Sequence, residues 1–294
     1  MADLPIEPVS GYYNSLRLKL HYLDWGNEEA PPLILLHGGR DHARSWDWVA
    51  RALQGDYHVI APDLRGHGDS GWSPDGQYSL IAHVYDFAEL IHQLELAPVK
   101  IVAHSFGGAI TMRYAALYPG NVERLVAIEG LGLPPQVMAE YEAGGIDERM
   151  RKWIEELRRL SSREPRRYAT LEAARQRMAE ENGHLSPAQV RHLTVHGVRR
   201  NEDGTYGWKF DPLVRNVYPI ELGPEQRAEM WRKVSCPLLL VNGADSWFAN
   251  PAKDGRADHF QNARFSEYAD AGHWVHHDQL EGFVAEVRGF LGQS

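Results

Sequence analysis

Five short apolar runs constrain the fold of this chain more than any other feature of its sequence. Each is rich in Val, Ile and Leu, and helix-like stretches such as "RSWDWVARAL" and "VYDFAELIHQLEL" separate the first four. Nearly continuous apolar runs are typical of parallel strands that are covered on both faces. Their alternation with helices predicts an α/β fold built on a doubly wound, mostly parallel sheet. The runs are "PLILLHG", "YHVIAPD", "VKIVAHS", "RLVAIEG" and "CPLLLVNG".

Weaker signals before and after these runs predict further strands and a helix. In "SLRLKLHYLDWG", every second residue is apolar, as in a half-buried strand. These residues are Leu16, Leu18, Leu20 and Tyr22. Near the end of the chain, "ARFSEYA" is a strand candidate, and the helical stretch "LEGFVAEVRGFL" follows it.

Residues 133–232 have a different pattern, without a long apolar run. Apolar residues recur there at helical spacing: Met150, Trp153, Ile154, Leu157 and Leu160. The tetrapeptide "SPAQ" at 186–189 combines an N-cap serine, a first-turn proline and a capping-box glutamine. We therefore predict a mainly helical cap at 133–232, inserted into a core domain formed by 1–132 and 233–294. The cap, which carries Trp153, Trp208 and Phe210, is expected to set acyl or alcohol size and access.

Composition narrows the class of protein. The net charge of −9 argues against nucleic-acid binding, and no apolar run approaches the roughly 20 residues of a membrane span. The first residues show neither the basic start nor the apolar stretch of a secretory signal. Cys236 is the single cysteine, which excludes an internal disulfide. We expect a cytoplasmic enzyme or binding protein that acts on a small molecule; its oligomeric state is left open.

One serine follows the third apolar run in "KIVAHSFGG". Ser105 would lie on a sharp strand-to-helix turn at the carboxyl edge of the sheet, where ligands of open α/β sheets bind. Such a turn requires small residues two positions before and after the serine, which are Ala103 and Gly107 here. Its strained backbone exposes Oγ, so we predict that Ser105 is a nucleophile. The alternative is that Ser105 only caps the following helix.

A serine hydroxyl needs a general base, and the base needs a carboxylate that fixes its tautomer. His273, in "DAGHWVHHD" after the last strand candidate, is the predicted base. Its neighbours His276 and His277 are expected near the next helix, facing solvent or the cap. Asp245, in "VNGADSW", is the favoured acid, because it directly follows an apolar strand at the edge where His273 must lie, and the order Ser105, Asp245, His273 is the one expected for this fold. Glu129, which ends the fourth run in "RLVAIEG", is the alternative acid.

A developing oxyanion requires two preorganised N–H donors near the serine. The backbone of Phe106, directly after the nucleophile, can supply one. Gly39, in "LLHGG" after the first run, can supply the other. His37 and His104 lie in the same two segments, and we interpret both as structural hydrogen-bonding residues.

Taken together, "HGG", "APDLRGHGDS", "AHSFGG" and "DAGH" resemble the motifs of α/β-hydrolase-fold serine hydrolases with a helical cap. The resemblance covers nearly the whole chain outside the cap, and it implies acyl transfer to water through an acyl-serine, without a cofactor. Ala103 replaces the first glycine of the family's G-x-S-x-G pattern. The match of "GHGDSG" at 66–71 to a dinucleotide fingerprint is interpreted as a loop, because no helix start follows it. Asp63 and Arg65 are its expected structural partners.

The predicted function is a carboxylesterase-type serine hydrolase of EC class 3.1.1, acting on small to medium, largely apolar esters. Alternatives are a lactone or C–C bond hydrolase, a cofactor-free perhydrolase, or a ligand-binding sensor with slow turnover. The chain has 15 histidines, but none has the H-E-x-x-H or comparable spacing of metal ligands. We therefore expect neither a metal nor a cofactor.

Overall fold

The computed structural model describes residues 7–216 and 218–293. Its strands are β1 (Val9–Ser15), β2 (Leu18–Asp24), β3 (Pro32–Leu36), β4 (His58–Pro62), β5 (Val99–His104), β6 (Val122–Ile128), β7 (Val198–Arg200), β8 (Tyr206–Trp208), β9 (Leu238–Gly243) and β10 (Ala263–Tyr268). Its α-helices are α1 (Asp47–Leu53), α2 (Leu80–Gln93), α3 (Phe106–Leu117), α4 (Pro135–Ala143), α5 (Ile146–Ser161), α6 (Leu171–Glu181), α7 (Pro187–Gly197), α8 (Pro224–Arg232), α9 (Val275–Asp278) and α10 (Leu280–Leu291). No helix within these residues has the length and apolarity needed to cross a bilayer.

Within the described residues, eight strands form one sheet in the order β1-β2-β4-β3-β5-β6-β9-β10. Strand β2 runs antiparallel to both β1 and β4, and the remaining pairs are parallel. The five apolar runs of the sequence are β3, β4, β5, β6 and β9, which lie side by side in the middle. The prediction of a mostly parallel, doubly wound sheet is confirmed.

The central strands are apolar throughout because helices cover both faces of the sheet. In β3, Ile34 and Leu36 pack into one hydrophobic cluster, and Leu33 and Leu35 pack into the other. Helices α2 and α3 contribute to the first cluster, whereas α1 and α10 contribute to the second. Successive side chains of a strand point to opposite faces, so a strand buried on both faces needs apolar residues at every position.

The antiparallel edge differs in part from the sequence prediction. Strand β1, which the apolar pattern did not predict, pairs with β2 along its whole length. Leu20 is fully buried as expected, but Leu16 is 76% exposed and has a φ of 52°. Leu16 therefore belongs to the tight turn between the two strands, and its place in the predicted strand face is wrong.

Residues between β6 and β9 form helices α4–α8 and the β7–β8 hairpin. The predicted capping box is present, since Ser186 Oγ accepts a hydrogen bond from the Gln189 N–H and the Gln189 side chain accepts one from the Ser186 N–H. Helix α7 contacts the sheet-bearing part of the chain, because Gln189 Nε2 donates to the carbonyl of His277 at 2.9 Å. The boundaries of the cap as a separate domain stay a prediction.

Candidate active site

The strand-to-helix turn between β5 and α3 holds Ser105 in a strained conformation. Its φ of 51° and ψ of −117° are rare for a residue with a side chain, and its N–H donates to the Ile128 carbonyl at 2.8 Å. Glycine is required at 107, because a Cβ there would lie 2.5 Å from the carbonyl oxygen of His37. Ala103 is fully buried in β5, and the turn forms with alanine at that position.

His273 lies against the serine. Its Nε2 is 3.0 Å from Ser105 Oγ, and its side chain is 20% exposed. The Phe248 ring stacks on the imidazole with a centroid distance of 5.2 Å and an interplanar angle of 20°. His104 donates from Nε2 to the His273 carbonyl at 2.9 Å, which holds the backbone of this loop. The structure thus brings the predicted nucleophile and base into hydrogen-bond contact.

The carboxylate that contacts His273 belongs to Glu129, at the end of β6. The Glu129 side chain is fully buried, and its backbone has a φ of 48°. Its Oε1 accepts the Gly243 N–H at 3.0 Å, and its Oε2 accepts the Ser246 hydroxyl at 2.7 Å. The same Oε2 accepts a hydrogen bond from His273 Nδ1. Because a carboxylate only accepts, Nδ1 carries the proton and Nε2 presents its lone pair to Ser105.

Asp245 lies in the loop after β9, as expected, but it does not contact His273. Its backbone N–H donates to the Ala271 carbonyl at 3.0 Å, while its side chain is exposed. No hydrogen bond or ion pair of this carboxylate occurs within residues 7–216 and 218–293. The two loops meet earlier, at Gly243, where an added Cβ would lie 2.3 Å from the Gly272 carbonyl oxygen. The expected contact is therefore corrected: Glu129 occupies the position predicted for Asp245.

The predicted oxyanion donors flank the serine on the cavity wall. Gly39 and Phe106 both line the cavity, and a Cβ added to Gly39 would lie 4.0 Å from the Phe106 Cβ. Neither backbone N–H has an acceptor in the described part of the chain. His37 holds the Gly39 loop, because its Nδ1 donates to the Gly38 carbonyl and its Nε2 accepts the Leu64 N–H. Burial lowers the pKa of His37 to about 3, so it stays neutral in this structural role.

The two histidines after His273 lie on the next helix, α9, as expected, but both are buried, so the expectation that they face solvent is wrong. His277 does contact the insertion, because its carbonyl accepts a hydrogen bond from Gln189. His276 stacks on Trp46 at a centroid distance of 4.5 Å, and His277 packs edge-on against Trp48. Burial lowers the pKa of His276 well below its usual value and that of His277 to about 3. Both are therefore neutral packing residues on α9.

The "GHGDSG" segment is a loop, as interpreted from the sequence. Asp63 accepts a hydrogen bond from His21 Nδ1 at 2.7 Å, and burial opposes the ionisation that its hydrogen bonds favour. The net result is a pKa of Asp63 below its usual range. Arg65 pairs with Asp86 through two hydrogen bonds of 2.5 and 2.6 Å. Asp63 and Arg65 are therefore both structural residues: Asp63 pairs with His21, and Arg65 pairs with Asp86.

A cavity of about 1360 Å³ opens above the serine turn, between the sheet edge and the inserted helices. Both the core and the insertion contribute apolar residues to its lining. Those of the insertion are Leu133, Met138, Leu185, Val214, Tyr218, Leu222, Met230 and Trp231. None of Trp153, Trp208 and Phe210 is among the described residues that line it, so other residues of the insertion form its wall. That the cap sets substrate size and access stays a prediction. Trp153 lies behind Tyr218, which lines the cavity, and the two rings pack at a centroid distance of 5.7 Å. The sequence pattern marked apolar residues of the insertion but not which of them face inward.

Two clusters in the described residues have the geometry of metal ligands. One is Asp47, His192 and His196, and the other is His21, Asp63 and Asp69. In the first cluster, the Asp47 carboxylate forms an ion pair with Arg44, whose Nη2 lies 2.6 Å from Asp47 Oδ2. In the second, the Asp63 carboxylate accepts hydrogen bonds from His21 and from the backbone of Ala43 and Asp69. Each cluster therefore has at least one carboxylate that already contacts other groups of the protein, and the absence of a metal stays a prediction.

The fold and the site define a hydrolase of α/β architecture. Residues 31–280 match the family model described as alpha/beta hydrolase fold, and the chain belongs to this family. It is 28% identical over 276 residues to esterase Rv0045c of Mycobacterium tuberculosis, which covers 92% of this chain and 85% of that protein. It is also 28% identical over 281 residues to the sn-1-specific diacylglycerol lipase ABHD11 of Mus musculus, with coverages of 94% and 85%.

Solved structures agree on the fold. The thioesterase domain from the curacin biosynthetic pathway superposes with a TM-score of 0.82 at 22% identity, covering 96% of this chain and 99% of that domain. At this identity the match shows the fold alone. The family and the relatives together confirm the resemblance drawn from the sequence motifs, and they support hydrolase activity.

Proposed function

We propose that the protein is a carboxylesterase-type serine hydrolase of EC class 3.1.1. The observation that carries the proposal is the hydrogen-bonded series from Ser105 Oγ to His273 Nε2 and from His273 Nδ1 to Glu129. This series lies at the wall of a largely apolar cavity. A serine, a histidine and a buried carboxylate in this arrangement are the groups required for acyl transfer. The names of the esterase and lipase relatives support the same class of reaction.

In the proposed mechanism, Ser105 Oγ attacks the carbonyl carbon of the ester while His273 Nε2 accepts its proton. Glu129 stabilises the imidazolium, and the N–H groups of Gly39 and Phe106 stabilise the oxyanion. When the tetrahedral intermediate collapses, the C–O bond breaks and His273 gives its proton to the leaving alcohol. A water molecule then attacks the acyl-serine, with His273 again taking and returning the proton.

The proposal assigns Glu129 as the acid and leaves Asp245 without a catalytic role. Glu129 is fully buried, so its charge acts on the imidazole at a short distance with little solvent screening. Ser246 and the backbone of Gly243 compensate its burial with two hydrogen bonds. Asp245 is exposed, and water would screen its charge.

The cavity favours small to medium, largely apolar esters, because most of the surface that lines it is apolar. Nothing in this chemistry requires a cofactor. The cytoplasmic location expected from the composition stays a prediction.

The decisive test is Ser105→Ala, assayed with a chromogenic short-chain ester and a fluorophosphonate probe. We expect wild type to hydrolyse the ester and to be labelled, and the variant to do neither while keeping its unfolding temperature. Ser162→Ala is the matched control, since Ser162 is exposed at the end of α5 and, within the described residues, its hydroxyl hydrogen-bonds only to the Arg159 carbonyl. Labelling of the Ser105→Ala variant at the wild-type level would refute the mechanism. Labelling of wild type without turnover of any ester would favour the sensor alternative.

A further inference from the structure

Helix α3 connects the nucleophile to a second polar feature of the same cavity. Ser105, Ala109 and Arg113 are spaced four residues apart, so they follow one face of the helix, and all three line the cavity. At a rise of about 1.5 Å per residue, Arg113 lies roughly 12 Å from Ser105 along the helix axis. Long helical side chains lean towards the N-terminus, which brings the guanidinium to a distance on the order of 10 Å from the serine.

The Arg113 guanidinium is tethered on one side and open on the other. Its Nη2 donates to Glu221 Oε2 at 3.0 Å, and the two side chains are 14% and 25% exposed. A guanidinium carries five N–H donors. In the described part of the chain, the other nitrogens of Arg113 have no acceptor, and none of them is enclosed by protein atoms. Since Arg113 lines the cavity, these donors are available to a ligand.

Burying the charges of Arg113 and Glu221 in the cavity wall costs free energy, which favours a role for this ion pair beyond packing. Burial lowers the pKa of Arg113 and raises that of Glu221, and each partner's charge opposes the shift of the other. The nearby Arg227, which also lines the cavity, lowers the pKa of both. Replacing a buried ion pair by apolar residues of similar volume is often neutral or stabilising. An ion pair kept in the wall of this cavity, with open donors, therefore suits recognition of a polar group.

We infer that Arg113, oriented by Glu221, binds a carboxylate at the far end of the substrate. The planar fork of a guanidinium matches the two oxygens of a carboxylate. An extended chain spans about 3.5 Å for every three bonds, so a distance on the order of 10 Å corresponds to about eight bonds. The substrate class is therefore an ester that carries a carboxylate about eight bonds from the reacting carbonyl. This inference rests on the proposed esterase activity and adds the specificity of its cavity.

The test compares two matched pairs of esters. The p-nitrophenyl monoester of octanedioic acid differs from p-nitrophenyl octanoate only in a terminal carboxylate. The acetate ester of 8-hydroxyoctanoic acid and octyl acetate form the corresponding pair with the carboxylate on the alcohol side. We expect wild type to prefer the carboxylate-bearing ester of at least one pair by roughly 10- to 100-fold in kcat/KM, the range of a charge-assisted hydrogen bond. The pair that shows the preference tells whether Arg113 binds a carboxylate on the acyl side or on the alcohol side of the ester.

The variants separate recognition from structure. In Arg113→Met/Glu221→Gln, both charges are removed together, so no buried carboxylate is left alone. We expect this variant to lose the preference through KM, with octanoate turnover within about threefold of wild type. Arg113→Lys keeps the charge but not the planar fork and should lose part of the preference, which provides a second reading if the double variant does not fold. Arg288→Met, at an exposed arginine on α10, is the matched control.

Three results would overturn the inference: no carboxylate preference in wild type, a preference unchanged in both variants, or equal losses on charged and neutral esters. The last would make the ion pair structural. Failure of the proposed function is distinguishable, because wild type would then hydrolyse none of the four esters and Ser105 would not react with the fluorophosphonate.

Discussion

Neutralising Glu129 tests how the tertiary structure sets the protonation of the candidate base. Three donors converge on this carboxylate: the Gly243 N–H on Oε1, and the Ser246 hydroxyl and His273 Nδ1 on Oε2. In Glu129→Gln only one oxygen remains. The Gly243 N–H is a backbone donor that cannot change its role, so the glutamine oxygen should face it. The glutamine NH₂ then points at Ser246, whose hydroxyl can rotate, and at His273.

This orientation inverts the histidine tautomer. With an NH₂ donor against Nδ1, that nitrogen must present its lone pair, and the proton moves to Nε2, where it faces Ser105 Oγ. His273 can then no longer accept the serine proton. An inverted tautomer of this kind costs on the order of 10⁴ in kcat, or about 5.5 kcal/mol of transition-state stabilisation. The variant should fold, because every backbone donor in the cluster keeps an acceptor.

The comparison variant is Asp245→Asn. Its carboxylate is exposed and without a side-chain partner in the described residues, so the change should alter kcat by no more than about threefold. Both variants are assayed for kcat on a chromogenic short-chain ester, with folding checked by thermal unfolding. If Asp245→Asn is nearly inactive and Glu129→Gln keeps most of its activity, the tautomer reasoning is wrong and Asp245 is the acid. Comparable losses in both variants would also refute it.

Two further predictions concern Ser246, which contacts Glu129, and the buried histidines of the fold. Ser246→Ala removes one hydrogen bond from Glu129, so we expect a loss of roughly 3- to 10-fold in kcat on a chromogenic short-chain ester. An unchanged kcat would show that Ser246 does not support Glu129. Four buried histidines have folded-state pKa values of about 3 to 4, below the unfolded value near 6.5. They are His37, His67, His83 and His277. Because the unfolded chain binds protons that the folded chain does not, stability should be unaffected by these groups above pH 6.5 and should fall from there to about pH 4, by on the order of 1.4 kcal/mol per pH unit for each histidine. Urea midpoints measured at pH 7.5, 6.5 and 5.5 test the direction, and an equal midpoint at all three would contradict it.

Local sequence patterns determined the sheet and the reactive serine. An apolar run buried on both faces is specified by its own residues, so five central strands could be predicted without knowledge of their neighbours. The turn at Ser105 likewise has a local signature, the small residues Ala103 and Gly107, although the contact that requires glycine at 107 comes from the distant carbonyl of His37. His273 could be predicted because it follows the last strand of the sheet within a few residues.

Tertiary structure decided the acid and the lining of the cavity. Glu129 and Gly243 are 114 residues apart in the chain, yet they meet because β6 and β9 are neighbours in the sheet. Sequence order placed both Asp245 and Glu129 at strand ends, but it could not say which carboxylate reaches the imidazole and which points to solvent. The same holds for Arg113 and Glu221, which are 108 residues apart and meet only where α3 lies beside the segment before α8. Contacts of this kind depend on the register and packing of distant elements, whereas strands and tight turns depend on residues that are adjacent in the chain.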